Sequence, residues 1–298
     1  MEYQRFDPSL CGFPRPRVPP LPGLSRASLG GSRLAPGFEL VGRQATDTLH
    51  FSRGRYALTE AYRRAGVGPK GGLLAPAYHC RTMLDPAIRL GADIGLYGLA
   101  ADLSPDLAGL EAALAAARTP IKALLLTHYF GFAQKRLAAV ADFCTRHGLV
   151  LIEDCSHALL SRPDASTPIG GTGQFAVASP YKFFASDDGG LFWANGGASH
   201  RAEPLSRPGI AEEIKSGLRG LQQWLGGSTA PLNTESLGRE LKDWVTRPLH
   251  PGLDVRQLET GNSEHYSAAE EMRQSLASSR WIAGHTDMQL LASRRREN

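Results

Sequence analysis

The sequence predicts an α/β fold whose large domain is built around a mainly parallel sheet, and three observations predict it. Between about residues 50 and 195, short apolar runs alternate with stretches of helical period. The apolar runs close on polar residues, as strands do when they end at one edge of an open sheet. Hydrophobic residues make up 42% of the 298, enough to fill a substantial core.

Taken in order, the first forty residues are rich in Pro, Gly and Arg, as in Pro14-Arg15-Pro16-Arg17-Val18-Pro19-Pro20. They lack any period and read as an irregular arm over 1–40. Leu73-Leu74-Ala75 ends at Pro76, Ile121 to Leu126 ends at Thr127-His128, and Leu149 to Ile152 ends at Glu153-Asp154. Each reads as a buried strand. Behind Ser104-Pro105, Leu107, Leu110 and Leu114 recur at helical spacing, which predicts a helix over 106–117. The spacing of Val140, Phe143 and Cys144 predicts another over 137–147, stopped by Gly148. These are crossover helices of a large domain over 41–198. After residue 200 the pattern turns helical and more polar, with Ile210, Ile214, Leu218, Leu221 and Leu225 in one 3.6 period and Leu237, Leu241 and Trp244-Val245 in another. The span 199–298 reads as a helical continuation that is incomplete as a second domain. Its closing run, Arg294 to Asn298, reads as a solvated basic helix face.

The charge balance narrows the function. With 33 basic and 29 acidic residues the net charge is +4, too small and too dispersed for a nucleic-acid surface. Cys11, Cys80, Cys144 and Cys155 form no metal-ligand spacing and no disulfide framework, which predicts no metal site and a reducing cytoplasm. No run is apolar enough for a bilayer span, and Met1 to Ser9 lacks the apolar stretch of a signal peptide. The expectation is a cytoplasmic protein with no membrane and no nucleic-acid partner.

Two segments hold the strongest chemical signal. Ile152 to Ala158 places Asp154 at a strand end with His157 three residues on. Ser179 to Gly190 places Lys182 in a Gly/Ser/Asp-rich loop after the apolar run Phe175 to Ala178. A lysine able to form a Schiff base, an aspartate to keep a pyridine nitrogen protonated, and a further polar group for the ring or its hydroxyl are the parts a pyridoxal 5'-phosphate enzyme needs. Read alone, Lys182 is a surface lysine, Asp154 a strand-end cap, and His128 and His157 are structural histidines. Cys155 reads as a buried filler, and Asp187-Asp188 equally as solvated charge or functional pair.

The order and spacing of these segments resemble the sugar aminotransferases of the DegT/DnrJ/EryC1/StrS family, over roughly residues 40 to 195. Arg53-Gly54-Arg55-Tyr56-Ala57-Leu58 resembles the family's phosphate turn, where backbone amides at a helix start hold the cofactor phosphate. Ala75 to Cys80 resembles its ring-covering segment, and Thr127-His128-Tyr129-Phe130-Gly131 a further strand end. The resemblance implies fold type I, a homodimer, a nucleotide-linked keto sugar as acceptor and glutamate as amino donor. It implies Lys182 as the catalytic Schiff-base lysine, with Asp154, His157, Gly54, Arg55, Tyr56, Tyr78 and Ser179 binding the cofactor. Three positions depart from the family's pattern: Val177 stands where it has a phosphate-binding serine, with Ser179 as the substitute. Arg55 replaces the threonine of the phosphate turn. Cys80 occupies the aromatic position, with Tyr78 two residues earlier. The resemblance also implies that the small C-terminal domain is missing from this chain. Two other readings stay open: a catalytically inactive or truncated PLP-fold protein, and a cofactor-free α/β enzyme using Asp154 and His157 for hydrolysis, which lacks a GxSxG motif.

Overall fold

The computed structural model describes residues 48–161, 169–196, 204–225 and 266–297, together with 22–24 and 29. The expected arm over 1–40, apart from those few residues, and the second helical period at 237–245 lie outside the described residues. One seven-stranded sheet organises the rest, in the order β1-β7-β6-β5-β4-β2-β3. Its strands are β1 (Thr48–Phe51), β2 (Gly72–Pro76), β3 (Ile94–Tyr97), β4 (Ile121–Thr127), β5 (Val150–Asp154), β6 (Phe175–Ala178) and β7 (Gly190–Ala194). Neighbours from β3 through β6 pair in parallel, and only β7 runs antiparallel to both of its partners. The predicted α/β class with a mainly parallel sheet is the observed one.

Helices cover both faces, as a parallel sheet requires. They are α1 (Gly54–Arg64), α2 (Arg81–Arg89), α3 (Leu107–Ala115), α4 (Leu137–His147), α5 (Ile210–Leu225), α6 (Ala277–His285) and α7 (Met288–Glu297). Strand alternation sends Leu73 and Ala75 to the face packed by Tyr56, Ala57, Ala61 and Tyr62 of α1. Leu74, Leu124 and Leu126 go to the opposite face, against Leu110 of α3 and Val140 and Phe143 of α4. Each wholly buried leucine there contributes about 2 kcal/mol, and truncating one to alanine costs about 3 kcal/mol because a cavity remains. α3 starts where the Asp106 carboxylate accepts the Ala108 amide at 3.2 Å. α4 stops where Gly148 takes a left-handed φ of 65° and Leu149 donates to the Cys144 carbonyl.

α5 forms as its period predicts, yet among the described residues its apolar stripe packs on little. Ile210, Ile214, Leu218 and Leu221 are all exposed. In the basic run of α7, Arg294, Arg295 and Glu297 are exposed as expected, but Arg295 also makes contacts. Arg295 lies 4.3 Å from the centre of the Phe183 ring and donates to the Lys182 carbonyl at 2.5 Å.

Because β4, β5 and β6 are parallel and in step, Thr127 pairs with Asp154 and Asp154 with Val177. Their carboxyl ends therefore open on one edge. The start of α1 reaches the same edge, since Arg53 bridges Gly189 just before β7.

Candidate functional site

α1 begins without a side-chain cap and with no acidic residue in its first turn. That leaves the positive end of the helix dipole and first-turn amides free to meet an anion. The Tyr56 amide donates to the Arg53 carbonyl at 3.1 Å, so the Arg55 amide, second in the helix, is the better donor for an outside acceptor. Gly54 lies against the end of β6, where a Cβ would stand 2.1 Å from Ser179 Oγ. Ser179 in turn shares a hydrogen bond of 3.0 Å with Ser156 Oγ, both buried. Val177 is wholly buried in the core against α1. Ser179, two residues on, shares its face by strand alternation and sits one pleat nearer the helix start. The Tyr56 hydroxyl turns away, donating to Glu270 at 3.3 Å.

Asp154 is buried at the end of β5, and one of its oxygens accepts the Ser156 amide at 2.9 Å. Lys182 ends a 3-10 turn, Pro180–Lys182, that follows β6 directly, and its amide donates to Ser179 at 3.1 Å. His157, three residues past Asp154, feels the charge of both. Burial is the main influence lowering its pKa, the Lys182 charge lowers it further, and the Asp154 charge opposes both. Its Nδ1 is buried and has no hydrogen-bond partner among the described residues. An unpaired buried ring nitrogen is costly unless something outside the chain fills it.

An aromatic wall closes one side. Tyr78 is 54% exposed, its ring 5.6 Å from that of Tyr129, whose hydroxyl donates to the Tyr78 carbonyl at 2.6 Å. Phe130 stacks on His157 with ring centres 5.7 Å apart and planes 15° from parallel. Cys80 is exposed at the start of α2, with Sγ 3.0 Å from Thr82 Oγ1.

A family model, that of the DegT/DnrJ/EryC1/StrS aminotransferase family, matches residues 40–230. The chain belongs to that family. Among the family's named proteins, dTDP-4-dehydro-2,3,6-trideoxy-D-glucose 4-aminotransferase of Saccharopolyspora spinosa is 39% identical over 103 residues, 33% of this chain and 26% of that protein. The chain thus matches about a quarter of that relative's length. Among solved structures, the aminotransferase TlmJ of Streptoalloteichus hindustanus is 24% identical over 52% of this chain and 42% of its own, with a TM-score of 0.47. A DegT DnrJ EryC1 StrS aminotransferase from Brucella abortus is 16% identical over 84% of this chain and 85% of its own, with a TM-score of 0.48.

In this member of the DegT/DnrJ/EryC1/StrS family, the site edge also holds residues that motif reading passed over. Ser156 is one, and its signal was local: an Asp followed two residues on by Ser is the pattern of an Asx turn. Arg53 is another, with its guanidinium 5.3 Å from the Tyr181 ring centre. Phe130 carries no sequence signal for its place over His157. Of the two readings left open for Asp187-Asp188, solvated charge does not hold for the second residue. Asp187 meets Arg219 at 3.3 Å, but Asp188 is buried and accepts the Leu276 amide at 3.1 Å, which ties the Lys182 loop to the start of α6.

Proposed function

We propose that this chain is a pyridoxal-phosphate-dependent aminotransferase acting on a nucleotide-linked keto sugar, with glutamate as amino donor. The observation that carries the reading is His157. Its Nδ1, without a partner among the described residues, feels the charges of both Lys182 and Asp154, and the adjacent Ser156 bonds Ser179 at the Gly54 turn. A lysine, a buried carboxylate, an orphaned ring nitrogen and an uncapped helix start suit the aldehyde, ring nitrogen, hydroxyl and phosphate of that cofactor. Bound there, pyridoxal 5'-phosphate would supply an electron-sink ring that stabilises charge on the substrate carbon. The tasks of the chain's own residues follow from their chemistry. Lys182 Nζ would hold the cofactor and, when free, would carry a proton at the reacting carbon. Asp154 would keep a proton on the ring nitrogen, His157 Nδ1 would meet the ring hydroxyl, Ser179 with the Arg55 and Tyr56 turn of α1 would hold the phosphate, and Tyr78 would cover the ring. The nucleotide-linked acceptor is suggested by the dTDP-sugar relative, in line with the family.

As part of the same proposal the enzyme works as a cytoplasmic homodimer over a 41–198 large domain, which sedimentation of the purified chain checks. Among the described residues no helix is long and apolar enough to cross a membrane.

The test is the visible absorbance of the chain with added pyridoxal phosphate, beside Lys182→Ala. A lysine-dependent band that bleaches with glutamate and returns with a dTDP-linked keto sugar is the expected result. A band indifferent to Lys182→Ala would end the Schiff-base assignment.

A further inference from the structure

Next to the site lies a buried ionisable pair for which the reading above has no use. Glu153, one residue before Asp154, and His128, one residue past β4, are both wholly buried, with His128 Nε2 2.8 Å from Glu153 Oε2. A carboxylate in such a place is costly unless its oxygens are filled. Here four donors converge on it. Beside the His128 ring, the Gly170 amide donates to Oε2 at 3.2 Å, and the Thr172 and Gly173 amides donate to Oε1 at 2.8 and 2.6 Å. Burial alone would raise the Glu153 pKa, but the His128 ring and the amides outweigh it and bring the carboxyl below its ordinary range. Gly173 also packs directly on β5, since a Cβ there would meet the Leu151 carbonyl at 2.7 Å.

His128 is committed on both sides of its ring. The Gln134 amide donates to Nδ1 at 3.1 Å, which makes Nδ1 the acceptor and leaves the hydrogen on Nε2, facing Glu153. The backbone amide of His128 donates to the Asp154 carbonyl at 3.0 Å. One imidazole therefore ties β5 to the far end of the 129–134 loop. Gln134 closes that loop through its side-chain nitrogen, which donates to the Thr127 and Leu103 carbonyls at 2.8 and 2.9 Å. In the middle sits Phe130 with φ 51°, a left-handed conformation that a bulky residue keeps only when its surroundings hold it. An apolar pair could fill the same volume, but it would strand the amides of residues 134, 170, 172 and 173.

We propose that His128 and Glu153 are positioning residues: the pair fixes the 129–134 loop so that Phe130 lies flat on His157 and holds that imidazole toward the cofactor. The proposal rests on the pyridoxal-phosphate reading for its functional end, whereas the loop geometry it concerns exists in the cofactor-free chain.

Histidine-ring NMR of the whole chain without cofactor tests that geometry first. His128 is expected as the Nε2–H tautomer with a slowly exchanging ring proton. His157 carbon-bound ring protons are expected upfield, by a shift that Phe130→Leu abolishes. An Nδ1–H tautomer at His128, or a His157 shift indifferent to Phe130→Leu, overturns the proposal without any variant of the pair having to fold. His128→Asn can still accept from the Gln134 amide but cannot reach Glu153, and His128→Gln can reach Glu153. Each replacement thus keeps only one half of the tie, so both are expected to lose most of the His157 shift and about tenfold in pyridoxal-phosphate affinity. A folded His128→Asn with shift and affinity unchanged sinks the positioning role alone. A wild-type chain that binds no pyridoxal phosphate sinks the cofactor reading, and with it the function assigned to the pair.

Discussion

The hydroxyl of Ser179 stands 2.1 Å from the place a Cβ on residue 54 would take. With no side chain at residue 54, the Ser179 hydroxyl can keep this place between the end of β6 and the start of α1. Gly54→Ala is therefore expected to displace Ser179, cost about 1 to 3 kcal/mol of stability through overpacking, and weaken pyridoxal-phosphate binding. Thermal melts with and without the cofactor measure both effects. A variant stabilised by pyridoxal phosphate as much as the wild type would place the phosphate elsewhere.

Ser179 and Ser156 share a buried hydrogen bond of 3.0 Å. Ser179→Ala is expected to lose about 1 kcal/mol of stability and a larger fraction of cofactor affinity than Ser156→Ala does, since only Ser179 faces the helix start. Denaturant titration gives the first quantity and fluorescence titration with pyridoxal phosphate the second. Equal affinity losses in the two variants would count against Ser179 as the phosphate ligand.

Arg295 donates to the Lys182 carbonyl and covers the Phe183 ring at 4.3 Å. In Arg295→Ala, amide hydrogen exchange is expected to quicken in the 180–184 turn while β4 and β5 stay protected. Unchanged exchange in that turn would mean that α7 does not brace it.

His50 has its pKa lowered to about 4, mainly by burial and further by the Arg280 charge. The unfolded chain takes up this proton near pH 6.5 and the folded chain only near 4, so the unfolded state binds more protons in between and stability rises with pH. The expected loss on acidifying from pH 6.5 toward 4 is on the order of 3 kcal/mol. His157, whose pKa burial also lowers, adds in the same sense. Asp188, whose carboxyl burial raises, acts in the opposite sense nearer its own range, so the span from pH 6.5 to 5 is the one to read. Denaturant unfolding of wild type and His50→Gln over that span should give a shallower slope for the variant. Parallel slopes would assign the dependence to other groups.

What could be read from the chain alone was whatever is written in local period. The helix over 137–147 appeared at its predicted bounds, because an apolar face and a stopping glycine are properties of adjacent residues. β4 and β5 were legible as uninterrupted apolar runs, and their polar ends located Asp154 and His128 at the sheet's open edge. β1, β3 and β7 were not, since runs of four or five residues carry too little pattern to separate a strand from a loop. The stripe on α5 was visible as a period, but a period says that a face is apolar and not that anything covers it.

Tertiary structure alone decided the distances. Ser179 lies against Gly54, 125 positions earlier, Asp188 accepts the Leu276 amide 88 residues away, and Phe130 lies on His157 from another strand's loop. No local pattern encodes such meetings, because they depend on strand order and register, which are set by how all the apolar faces bury together. The sequence by itself determined the class of the fold and which residues could do chemistry. Only the folded sheet determined which of them stand within reach of one another.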